Sequence, residues 1–115
     1  NSEVGGMNKQ FKKGVLKMIV LLSVHKKDMY GYELVMEVSK IVDVNEGTIY
    51  PLLKRLTNER YFETYLEEST EGPPRKYYKL TLLGEQRMKE LTDSWSSFQS
   101  SVNAFMKECE KHESR

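Results

Sequence analysis

A chain of 115 residues and 13.5 kDa fits one domain with at most a short appendage, and 38% hydrophobic with 10% aromatic residues excludes global disorder. The lone cysteine, Cys109, has no partner for an internal disulfide, which points to a reducing, cytoplasmic setting. The formal net charge of +1 is unevenly spread: residues 7–27 hold Lys9, Lys12, Lys13, Lys17, Lys26 and Lys27 and no acid, whereas residues 28–44 hold one lysine against four acids. Such a basic opening suits DNA phosphates, with Lys12 and Lys13 as candidates, and equally suits a solvated helix face.

Residues 1–6, ahead of Met7, are expected to be an appended or disordered remnant. Lys12 and Lys13 followed by the apolar residues 15–24 have the outline of a signal peptide. Lys17 interrupts that run and no small-residue cleavage site follows it. The run is also short of the roughly 20 residues a membrane span needs. It reads as a buried helix over residues 9–24, and no membrane partner is expected. Phe11, Val15, Met18, Ile19 and Leu22 form its apolar stripe, widened by Leu16, Val20 and Leu21, so a second surface must cover part of it.

A polar break at residues 25–29 leads to a second helix over residues 30–42, with Leu34, Val35, Val38, Ile41 and Val42 inward. Gly31 at its start lets a neighbour approach closely. The third helix spans residues 45–60, with Asn45 as N-cap and Glu46 suited to the helix dipole. Ile49, Leu52, Leu53 and Leu56 face inward. Pro51 lacks the amide that would bond back to Gly47, so the start of this helix is expected to be irregular.

The period then changes to two. Phe62, Thr64 and Leu66 alternate with Glu63, Tyr65 and Glu67, the pattern of a half-buried strand. Residues 69–74 read as a turn segment and residues 75–80 as the returning strand, so the pair makes a hairpin, or wing. Thr81 caps a long last helix reaching about residue 111. Met88, Leu91, Trp95, Phe98, Val102, Phe105 and Cys109 are spaced alternately by three and four, an unbroken heptad stripe. A helix of this length outruns a body made of residues 7–81, and the simplest cover for its far half is a second copy. Met88, Leu91, Trp95, Phe98, Val102 and Phe105 are therefore the candidate dimer contacts.

The fold class that results is mainly α with a small β-hairpin, a winged helix-turn-helix plus a long C-terminal dimerisation helix. The domain plan is 7–81 for the winged helix, 82–111 for the dimerisation helix and 112–115 for a tail. In a helix-turn-helix unit the second helix of the pair enters the major groove. With the apolar stripe inward, Gly47, Pro51, Lys54 and Asn58 lie on the outward line, flanked by Thr48, Tyr50 and Arg55. Asn45, Gly47, Thr48, Tyr50, Pro51, Lys54 and Arg55 are the candidate DNA contacts on this helix, and Arg75 and Lys76 those on the wing. His25, His112 and Cys109 lack zinc-ligand spacing, and no glycine-rich phosphate loop occurs, so no metal, cofactor or enzymatic activity is expected.

Tyr30-Gly31-Tyr32-Glu33-Leu34, Gly47-Thr48-Ile49-Tyr50-Pro51-Leu52-Leu53-Lys54-Arg55-Leu56 and Arg75-Lys76-Tyr77-Tyr78-Lys79-Leu80-Thr81 with Gly84 resemble, in order and spacing, the PadR family of bacterial transcription regulators. The likeness covers about residues 12–98, and the short tail is similar to the compact branch with a single C-terminal helix. It implies a homodimer on palindromic double-stranded operator DNA, usually a repressor that lets go when an effector binds. In compact members a tryptophan on the last helix lines a hydrophobic space at the dimer interface where flat aromatic compounds stack. Trp95 matches that position, with Phe98 beside it, which implies a small aromatic or drug-like effector. Two features depart from the family pattern: Arg60 stands where glycine usually closes the recognition helix, and Glu67, Glu68 and Glu71 make the wing base acidic. The alternative reading is a dimeric winged-helix interaction scaffold that binds no DNA, which the near-neutral charge permits.

Overall fold

The computed structural model runs α1 (Ser2–Lys26), β1 (Met29–Tyr30), α2 (Gly31–Ser39), α3 (Glu46–Asn58), β2 (Phe62–Ser69), β3 (Gly72–Leu80) and α4 (Leu82–Glu113). It describes the backbone of residues 2–113 and the side chains of residues 14–112, so what was expected of the side chains of Phe11, Lys12 and Lys13 lies outside the described residues, while α1 begins at Ser2 rather than at residue 9 and α4 runs to Glu113. The architecture is the expected winged helix. The wing, however, is part of a three-stranded antiparallel sheet ordered β1-β3-β2, in which Met29 and Tyr30 pair with Tyr78 and Tyr77.

One core joins α1, α2, α3, the base of the sheet and the start of α4. Val20, Leu21, Leu34, Val38, Ile49, Leu53 and Leu56 are fully enclosed, with Met29, Phe62, Tyr78 and Met88 beside them. On α1 the residues taken to widen the stripe, Leu16, Val20 and Leu21, turn out to be its centre and are buried together with Val24, while Leu22 is 37% exposed. The helix has two neighbours, as the width of its stripe implied. Leu16, Val20, Leu21 and Val24 join the common core, while Val15 and Met18 share a cleft with α4. α2 ends three residues earlier than its hydrophobic pattern suggests. The amides of Ile41 and Val42 both bond to the Val38 carbonyl at 3.0 Å, which closes the helix and leaves Ile41 exposed rather than buried.

Two glycines are fixed by close approach. A Cβ on Gly31 would lie 2.6 Å from Cε1 of Tyr50, so the glycine gives the tyrosine ring its seat. A Cβ on Gly84 would overlap the Tyr61 carbonyl oxygen. That contact belongs to a tight joint between the exit of α3 and the start of α4. The Thr81 hydroxyl accepts the Gly84 amide at 3.0 Å, as an N-cap does, and donates toward the Arg60 and Tyr61 carbonyls, 2.7 and 3.1 Å away.

The hairpin reaches further into solvent than its alternation implied. β3 starts at Gly72 rather than at residue 75, Thr70 and Glu71 alone form the turn, and the register slips between Glu67 and Ser69. Pro73 and Pro74 are tolerated there because β1 pairs only with residues 77 and 78, leaving this part of β3 an edge. Of β2 only Phe62 is buried, and Leu66 is 70% exposed.

Candidate nucleic-acid interface

α3 is a continuous helix despite Pro51, with extended Asn45 before it. The Asn45 carbonyl accepts the amides of Thr48 and Ile49, both at 3.1 Å, which opens the helix without a side-chain cap. Pro51 therefore sits in the second turn, where the bond it forgoes would have ended on Gly47. The exposed pattern follows the expected outward line. Asn45, Gly47, Thr48, Tyr50, Pro51, Lys54, Arg55 and Asn58 are all exposed, while Ile49, Leu52, Leu53 and Leu56 anchor the opposite face in the core.

Tyr50 is 41% exposed and rests on Gly31 of α2. Partial burial raises its phenol above the ordinary value, aided by Glu46 and Tyr32, so at neutral pH it is a hydrogen-bond donor. Among the described residues neither Lys54 nor Arg55 forms an ion pair, so both charges face solvent unspent. Lys17, Lys26 and Lys27 fare differently. Lys26 meets Glu37 at 2.6 Å, Lys27 meets Glu33 at 3.0 Å, and Lys17 lies 3.8 Å from Glu59. The basic end of α1 and the acidic face of α2 are thus partners across one helix junction, and this part of the basic opening is not a free phosphate surface. Lys26, with Lys40, holds the Glu37 carboxyl below its ordinary range.

On the wing, Lys76 lies on the core-side face, 5.8 Å from the Tyr78 ring, and Arg75 on the opposite face, 4.4 Å from the Tyr30 ring. Glu67, Glu68 and Glu71 surround the tip rather than the base, which is formed by the Phe62–Leu80 pair. The contact of Arg75 with Tyr30 was not legible in the sequence, because it depends on β1, a strand of two residues. Strands that short carry no period to detect.

The stripe on α4 divides in two. Met88 is buried in the chain's own core and Leu91 packs against it, so these two candidate dimer contacts are engaged within the chain. Beyond them Phe98 is 59%, Val102 37% and Phe105 66% exposed. Trp95 and Phe98, with Gly14, Val15, Met18, Leu91 and Ser94, line an open cleft of 220 Å³ between α1 and α4. A larger groove of 730 Å³ lies between the end of α3, the base of the wing and the start of α4, lined by Arg60, Glu63, Lys79 and Glu85 among apolar residues. Its mixed charges and shallow form favour no particular ligand. Among the described residues no group of histidine, cysteine and acidic side chains is placed to hold a metal, and no helix is long and apolar enough to cross a membrane.

A family profile described as the PadR-like transcriptional regulator family matches residues 20–90. A PadR-like transcriptional regulator of Bacillus cereus is 38% identical with a TM-score of 0.78, covering 84% of this chain and 96% of its own. A PadR-like transcription factor of Bacteroides fragilis is 40% identical with a TM-score of 0.72, covering 87% and 98%. An uncharacterised protein of Lysinibacillus sphaericus is 33% identical over 98 residues, 82% of this chain and 90% of that protein.

Proposed function

The chain belongs to the PadR-like family of transcriptional regulators, whose members are not enzymes, and on that premise we propose that it is a cytoplasmic homodimeric repressor that reads operator DNA through α3. The observation that carries this reading is the outward face of α3. Gly47 and Thr48 leave room for close backbone approach, Tyr50 supplies a neutral donor, and Lys54 and Arg55 supply charges that no acid of the described residues neutralises. Arg75 and Lys76 follow on the wing, one strand face each.

Dimerisation is supported by the apolar half of α4 beyond Trp95, which one chain leaves in water. The cleft at Trp95 supports the effector. Its 220 Å³ falls below the roughly 300–1000 Å³ of an ordinary ligand pocket, so it reads as half of a site that a second copy completes. Its lining is apolar apart from Ser94, and a planar aromatic compound stacked on the indole fits that chemistry.

A mobility-shift titration on the DNA upstream of its own gene tests the reading. Affinity should fall steeply with salt as lysine and arginine displace counterions. A protein that stays dimeric yet gives no salt-sensitive shift is the scaffold, not the regulator. Addition of planar aromatic compounds should release the DNA and quench Trp95, the only tryptophan.

A further inference from the structure

Arg75 stands across from Glu67 in the β2–β3 register, yet among the described residues it pairs with no carboxylate. Its guanidinium lies instead over the ring of Tyr30, 4.4 Å from the centroid. Tyr30 leans on Tyr77, with centroids 5.5 Å apart, and Tyr77 stacks on Tyr65 at 5.5 Å and 14°. The Tyr65 hydroxyl donates to Oδ2 of Asp28 at 2.7 Å. Each strand of the sheet supplies one ring, and the pairings of Tyr77 with Tyr30 and with Tyr65 align them in a row on the face away from the core. An aromatic face holds a guanidinium through its quadrupole and leaves the N–H groups at the cation's edge available to an anion.

We propose that this tyrosine row is a positioning platform that holds Arg75 ready for a DNA phosphate, with Tyr30 as the direct support and Tyr77, Tyr65 and Asp28 as its bracing. The inference rests on the DNA-binding reading of the wing. A free arginine loses much side-chain freedom on meeting a phosphate, and one already held over a ring loses less. The acidic tip gives the platform a purpose. Glu67, Glu68 and Glu71 repel phosphate, so the wing's cation must be held in a fixed place to contribute.

The test measures binding of a labelled fragment from upstream of the gene, at several salt concentrations, by the wild type, Arg75→Ala, Tyr30→Leu, Tyr30→Phe and the Arg75→Ala/Tyr30→Leu double variant, each checked by thermal melting. Arg75→Ala should flatten the salt slope by about 0.9 per subunit. Tyr30→Leu should weaken binding by about two- to fivefold with the slope retained, as expected for loss of an exposed cation–ring contact. Tyr30→Phe should bind as the wild type, and the double variant no more weakly than Arg75→Ala. Tyr30→Val, which suits a strand, replaces Tyr30→Leu if that variant melts early. A Tyr30→Leu loss of equal size with and without Arg75 would make the ring merely structural and overturn the proposal. So would an unchanged slope in Arg75→Ala. If the wild type itself shows no salt-sensitive binding, the regulator reading falls and the platform with it.

Discussion

Arg60 adopts a φ of +68°, in the left-handed region, at the point where α3 turns back toward the wing. The bonds around it define the turn: the Arg60 amide reaches the Thr57 carbonyl and the Tyr61 amide reaches that of Leu56, both at 3.0 Å, the double closure of a Schellman motif. The family pattern has glycine here. The arginine therefore leaves the turn intact and carries its cost, because a Cβ in this region crowds the following carbonyl. Arg60→Gly should raise stability by up to about 1 kcal/mol, after allowance for glycine's greater freedom in the unfolded chain. Chemical denaturation would register it as a higher midpoint at unchanged slope, and a lower midpoint would mean that the Arg60 side chain supplies more than the backbone loses. Tyr65 offers a pH signature at the same scale. Its hydrogen bond to Asp28, with the nearby charge, pushes the phenol up to about 12. A folded value above the unfolded one means that this contribution is complete below about pH 10 and disappears as the pH rises toward 12. An alkaline melting series should show this loss in the wild type and not in Tyr65→Phe.

Elements with a sustained period were legible in the sequence. The buried line Ile49, Leu52, Leu53 and Leu56 placed the exposed face of α3 correctly, and Thr81 was correctly read as the cap of α4. Features whose causes lie in another element were not. β1 exists only through the pairing of Met29 and Tyr30 with Tyr78 and Tyr77 of β3, the exposure of Ile41 follows from a bond to Val38, and the paired Lys26 needs α2 beside it. The acidic wing was visible as composition, but the position of Glu67, Glu68 and Glu71 at the tip required the register. For α3 itself the expected consequence is separable. Lys54→Ala removes a charge that touches no acid of the described residues, so folding should change by under about 0.5 kcal/mol, as at an ordinary surface site. DNA binding should weaken, with a salt slope shallower by about 0.9 per subunit if Lys54 meets a phosphate. A melting temperature that drops along with affinity would place Lys54 in the fold instead.

The whole molecule is elongated, 65 × 34 × 23 Å, with a radius of gyration of 17.6 Å. A compact chain of this length would have about 13 Å. The excess reflects α4, whose last turns extend past the body with their apolar residues in water. If a second copy covers them, the two ends of the stripe should respond to mutation in opposite ways. Phe105 is 66% exposed within its own chain, so Phe105→Lys should leave the melting of the monomer nearly unchanged. In a symmetric dimer each such residue occurs twice, and burying a phenylalanine is worth about 1.5–3 kcal/mol. The variant should therefore weaken association by on the order of a hundredfold or more, which sedimentation at micromolar concentration would read as a shift to monomer. Met88→Ala, in contrast, should lower stability by about 2–5 kcal/mol without acting on the interface directly, because Met88 is only 5% exposed in one chain. DNA binding distinguishes a true interface from an incidental apolar patch. Two α3 helices fixed on one dimer engage half-sites a helical turn apart as a single event, and separated chains lose that advantage. Phe105→Lys should thus lose operator affinity although Phe105 is remote from α3 in the chain. Operator affinity that survives in a demonstrably monomeric Phe105→Lys would show that one α3 suffices.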